Sequence, residues 1–160
     1  MIARDLERLV PQISGRTTAD LEIRFRKLRE MRLLPVGGRG RHAPDLDAEH
    51  VATILLAVAG ARKATEAAYA AMHFARLREG GREDGALLPE ALAEMLASAQ
   101  CAADVQQIVL CKSYLLAVIH SSALRVFALP DIGRDMPGIV DQTVIGGDLV
   151  RRLAAHLAGA

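Results

Sequence analysis

The chain has no tryptophan, and its two tyrosines and three phenylalanines make aromatics only 3% of 160 residues. With so few large rings, the interior has to be built from Ala, Leu, Val and Ile, a set that favours closely packed helices. Cysteine is scarce too. Cys101 and Cys111 cannot form a disulfide framework and neither belongs to a CxxC pair, so both are expected as reduced core thiols. The longest uncharged apolar stretch, Val51 to Ala61, is bounded by His50 and Arg62 and falls far short of the roughly 20 residues of a bilayer span. The N-terminal MIARDLERLVPQ lacks the apolar run of a secretory signal, because Asp5 and Glu7 interrupt it. These absences lead to the expectation of a soluble, cytoplasmic protein with no membrane partner.

Signatures of catalysis are missing as well. His42, His50, His73, His120 and His156 form no HxxxH or HExxH pair, so no metal site is expected. Ser121 and Ser122 lack a GxSxG elbow, and no GxxxxGK[ST] loop occurs. Gly38-Arg39-Gly40 begins a GxGxxG that fails at Ala43. Gly146-Gly147-Asp148 reads as a strand-to-helix turn rather than an anion site. The expectation is a protein that is not an enzyme and carries no cofactor.

What is present is a folding-competent composition, 51% hydrophobic and 24% charged, with an uneven distribution of charge. Residues 1 to 42 hold ten Lys or Arg against five Asp or Glu, whereas the remainder holds ten against fourteen. The near-zero net charge of +1 therefore conceals a basic first quarter, and a polyanion would bind there.

The apolar spacing of Ile2, Leu6, Leu9, Val10 and Ile13 predicts a short first helix. Thr17 or Thr18 can cap the next one, with Asp20 and Glu22 in its first turn. Leu21, Phe25 and Leu28 share one face of that second helix, and Ile23, Arg26, Lys27 and Glu30 lie opposite, giving an apolar back and a largely basic front. It ends near Leu33 and Leu34, before Pro35. Residues 35 to 44, with three glycines, two prolines and two arginines, read as an exposed basic loop or ribbon. Asp45 or Asp47 then caps an apolar helix through Val58, interrupted at Gly60, and helical character continues from Ala61 to Leu77. The polar, glycine-rich REGGREDG (Arg78 to Gly85) reads as a linker, and Pro89 opens another helix with Leu88, Leu92, Met95 and Leu96 on one face. Beyond Ala103, VQQIVL, YLLAVI and LRVFAL read as strands, although a buried helix over Val105 to Ile119 fits the same pattern. Pro130 to Gly138 reads as a loop, Val140 to Ile145 as a final strand, and Gly147 to Leu157 as a last amphipathic helix.

Residues 2 to 58 thus order a short helix, a tight connection, a basic-fronted helix, an Arg-bearing loop and an apolar helix. That is the order of a winged helix-turn-helix, in which a recognition helix enters the major groove and the wing lies along the backbone. Arg16, Thr17 and Thr18 fall where such helices meet base edges or phosphates, and Arg26, Lys27, Arg39 and Arg41 suit phosphates. The segment from Arg24 to Val58 resembles the DNA-binding half of MerR-type regulators. Arg26 matches the family's helix arginine, Leu33-Leu34-Pro35 the helix end, Arg41 the wing arginine, and Asp47 to Val51 the next helix start. Arg32 stands where the family places a glycine. The segment also resembles small prophage proteins of proteobacteria.

The expected fold is mainly α with a small C-terminal α+β part. It divides into a winged helix-turn-helix over residues 1–60, a helical hairpin over 61–103 that could serve oligomerisation or pack within the chain, and an α+β segment over 104–160. The expected function is binding of double-stranded DNA as a dimeric, prophage-type transcriptional regulator. The same element order also suits a ring-forming small terminase-like packaging subunit or a protein-interaction adaptor.

Overall fold

A computed structural model describes residues 10–11, 15–36, 44–130 and 141–159. The expected first helix over 2–13, apart from Val10 and Pro11, lies outside these residues, as do Arg39, Arg41 and residues 131–140 of the loop after Pro130.

Helix α1 spans Thr18–Glu30, and Thr17 caps it by accepting the Asp20 N–H at 3.2 Å. Its buried face holds Leu21, Phe25 and Leu28 as the spacing predicts, and also Arg24. Helix α2, Ala48–Gly60, is capped by Asp47, whose carboxylate accepts the His50 N–H at 2.9 Å. It is the central helix, buried on nearly all sides from Val51 to Gly60. The expected break at Gly60 is real: a Cβ there would stand 2.8 Å from the Phe74 ring, so the missing side chain lets the next helix pack closely. A 3-10 turn at Ala64–Glu66 leads into helix α3, Ala67–Phe74. Helix α4 is Leu88–Ala97, with Pro89 in its first turn. Helix α5 is the short Ala99–Asp104, where the Ser98 hydroxyl accepts the Cys101 N–H. Helix α6 is Gly147–Ala158. Ala67, Ala71 and Phe74 of α3 and Leu88, Leu92, Met95 and Leu96 of α4 all join one apolar core that runs from Val10 to Ala154.

The short apolar runs after Ala103 are strands. A five-stranded antiparallel sheet has the order β1-β4-β3-β2-β5, with β1 at Arg78–Glu79, β2 at Gln107–Cys111, β3 at Leu116–His120, β4 at Leu124–Ala128 and β5 at Gln142–Gly146. Period-two burial decides against the alternative helix: Ile108, Leu110, Ala117, Ile119, Phe127 and Ile145 turn to the helices, while Val109, Val118, Val126 and Val144 turn away. The expected linker Arg78 to Gly85 instead contributes the edge strand β1. Arg78 and Glu79 pair with Ala128 and Phe127, and Gly80 and Gly81 at φ +66° make the turn that follows. Glu79 and Arg125 form a bidentate ion pair at 2.8 and 2.9 Å, which holds the Glu79 carboxyl below the usual carboxylate range. Expected as a core thiol, Cys101 is exposed, because α5 turns it outward while burying Ala102; Cys111 is buried.

The end of α1 has one strained residue. Leu33 N–H bonds back to the Leu28 carbonyl and Arg32 N–H to that of Arg29, a closing turn that holds Arg32 at φ +57°. A left-handed backbone is the conformation that glycine adopts without strain and that a side chain such as that of Arg32 resists. The Arg32→Gly variant is expected to unfold at higher temperature, by about 0.5–1 kcal/mol of added stability. A thermal melt showing destabilisation would contradict this account of the helix end.

Candidate nucleic-acid interface

The outer side of α1 follows directly from its inner side. Because Leu21, Phe25 and Leu28 must face the core, Thr18, Glu22, Arg26 and Glu30 are left in solvent, with Lys27 and Arg29 on the flanks. The cations on this surface are partly engaged. Arg26, 65% exposed, faces Glu30 at 3.7 Å, and Lys27 donates to the same carboxylate at 2.5 Å. The Lys27 hydrogen bond, more than the neighbouring charges, holds the Glu30 carboxyl below its ordinary pKa. Arg29 lies 5.9 Å from the Phe25 ring centroid, which keeps its guanidinium along the helix.

The predicted site residues at the helix start separate into different environments. Thr17 is exposed, with its side-chain oxygen committed to the cap, and Thr18 is the exposed first residue of α1. Arg16 is only 28% exposed, paired with Asp20 at 3.7 Å. Burial, followed by repulsion from Arg24, lowers its pKa from the normal arginine value. Arg16 also lines an apolar cleft of about 170 Å³ between α2, β5 and α6, beside Ile54, Val58, Ile145 and Leu153. Among the predicted contacts, therefore, Thr18, Arg26 and Lys27 share one accessible surface, Arg16 sits at the core boundary, and Arg39 and Arg41 lie outside the described residues.

The arginine that sequence reasoning missed is Arg24, which is fully buried. Its Nε and Nη2 donate to Asp20 at 2.7 and 3.4 Å, and Nη1 donates to the carbonyl oxygens of Ala57 and Ala61 at 3.0 and 3.4 Å. The last turn of α2 contains no basic residue of its own, so Arg24 supplies the cation that its exposed carbonyls and negative dipole end call for. A signal was present: Arg24 falls within the Leu21, Phe25, Leu28 stripe and stands four residues after an aspartate.

Near the C-terminus, Gly147 N–H bonds the Gln106 carbonyl at 2.8 Å, so the start of α6 is tied to the chain rather than offered to an anion. Arg151 donates to the Val105 carbonyl and Arg152 pairs with Asp148 at 3.0 Å. Among the described residues, no group of His, Cys, Asp and Glu could hold a metal ion, and no helix is long and apolar enough to cross a membrane. No protein-family model, curated protein or solved structure matches the chain.

Proposed function

We propose that the chain binds double-stranded DNA through the outer surface of α1, with Arg39 and Arg41 contributing from the segment that follows. In this reading α1 is the recognition helix of a winged helix-turn-helix, and the protein acts as a homodimeric, prophage-type regulator of transcription. One observation carries the proposal. When the buried Arg24, its partner Asp20 and the Arg16 that also pairs with Asp20 are set aside, α1 and the turn after it still hold Arg26, Lys27, Arg29 and Arg32 against Glu22 and Glu30. Such a surplus of cations on one helix neutralises phosphates and makes affinity salt-dependent. The remainder of the chain is net acidic and offers no comparable surface in sequence.

Glu30 provides a test in both directions, because it is the counter-charge that Arg26 and Lys27 face. Removing it in Glu30→Gln is expected to tighten binding to a random-sequence duplex several-fold and to steepen the salt slope, as two cations become available to phosphate. The Arg26→Ala/Lys27→Ala pair is expected to weaken binding and flatten the slope by about 1.8 units, the loss of two phosphate contacts. Fluorescence anisotropy between about 50 and 200 mM salt measures both. Absence of wild-type binding at the low end, or a slope indifferent to the double variant, defeats the proposal.

A further inference from the structure

Among the described residues, the sheet covers the helices with one face and has no layer on the other. On that open face, cross-strand register aligns a row of four valines: Val144 pairs with Val109, Val109 with Val118, and Val118 with Val126. The next row is Gly146, Gln107, His120 and Leu124. Val144 is 51% exposed and Leu124 64%, and Val109 and Val118 at the centre are half-buried by their neighbours. None of the eight residues is Lys, Arg, Asp or Glu. An antiparallel sheet ordinarily turns polar residues to solvent on such a face.

We infer that this face is where two copies of the chain associate, sheet on sheet. The charge pattern selects the partner. Polyanions find no cation in these two rows, and a charged protein surface would bury its charges unpaired, whereas a second copy brings the same neutral surface and no like-charge repulsion. Symmetry points the same way. A two-fold axis lying between the sheets, either along the strands or across them, sets the valine row of one copy on that of the other, at the shallow crossing angle usual for stacked sheets. The helical hairpin that the sequence offered for oligomerisation has its apolar stripes inside the monomer, whereas no described residue covers this face. Four strands about 4.8 Å apart, over two to three outward positions, give roughly 300 Å² in projection. That is well below the approximately 800 Å² per partner of a standard interface, so the dimer forms reversibly with concentration.

The inference is independent of DNA binding and is tested without nucleic acid, by sedimentation velocity of the full chain from about 10 µM to about 1 mM. The wild type is expected to move from one to two protomers across this range. Val118→Lys, at the centre of the row, and Leu124→Lys, on a side chain already exposed and so harmless to folding, are both expected to remain monomeric with a wild-type circular dichroism spectrum. A wild type that stays monomeric overturns the inference. So does assembly beyond two protomers, or dimerisation of Leu124→Lys at wild-type concentrations, which would place the contact elsewhere, for example along the edge strand β5.

Discussion

Replacing Arg24 with alanine is expected to cost about 3–5 kcal/mol, the range for breaking a buried ion pair by removing one partner. In a domain of this size that lowers the melting temperature by roughly 10 °C or more. Three losses add together. The Ala57 and Ala61 carbonyls at the end of α2 lose their buried donor, Asp20 loses a bond of 2.7 Å, and a cavity opens where a long side chain was fully enclosed. Arg24→Met separates these contributions. It keeps most of the volume and surrenders only the polar contacts, so its melt should fall between wild type and Arg24→Ala. Asp20 is itself 28% exposed and can recover water, which is why the arginine side of the pair is the costly one to remove. If denaturant titration finds Arg24→Ala within 1 kcal/mol of wild type, Arg24 does not join α1 to the end of α2.

The second large effect concerns two neighbouring glycines with opposite surroundings. A Cβ on Gly147 would lie 2.0 Å from the Val105 carbonyl oxygen and 2.9 Å from that of Gln106, and both obstacles are backbone. Helix α6 would have to move away from the strand entrance, breaking the Gly147 N–H bond to Gln106 and the Arg151 bond to Val105. Gly147→Ala is therefore expected to lose about 3 kcal/mol, at the upper end of overpacking costs. Gly146→Ala adds a methyl with nothing within 4 Å and should stay within about 0.5 kcal/mol of wild type. Thermal melts of the two variants side by side check the contrast. Equal behaviour would mean that the close approach of α6 to the Val105–Gln106 backbone is not what glycine serves here.

Much of the local structure was legible. The stripe Leu21, Phe25, Leu28, the stop at Gly60 and the final helix at Gly147 follow from periodicity and end chemistry and appear in the fold, and of the paired cap candidates Thr17 or Thr18 and Asp45 or Asp47 the structure selects Thr17 and Asp47. The strands were readable only as one of two options. VQQIVL and YLLAVI suit a buried helix as well, until Ile108, Leu110, Ala117 and Ile119 find helices on one side and backbone partners on the other. The edge strand at Arg78–Glu79 gave no signal, being two charged residues beside glycines. It exists because the end of β4 offers Phe127 and Ala128 as partners and Arg125 meets Glu79.

For the candidate interface, the sequence identified a basic region but could not sort its arginines. Arg24 and Arg26 are chemically identical and two residues apart, yet one is enclosed and the other is 65% exposed. Helical phase assigns their sides. What makes burial tolerable for Arg24 is a pair of carbonyls 33 and 37 residues further along the chain. Composition and spacing therefore determined the helices, their apolar sides and the location of excess positive charge. Tertiary structure decided which cations are spent on the fold and which valines line up across strands, because both depend on distant backbone groups whose meeting no local pattern encodes.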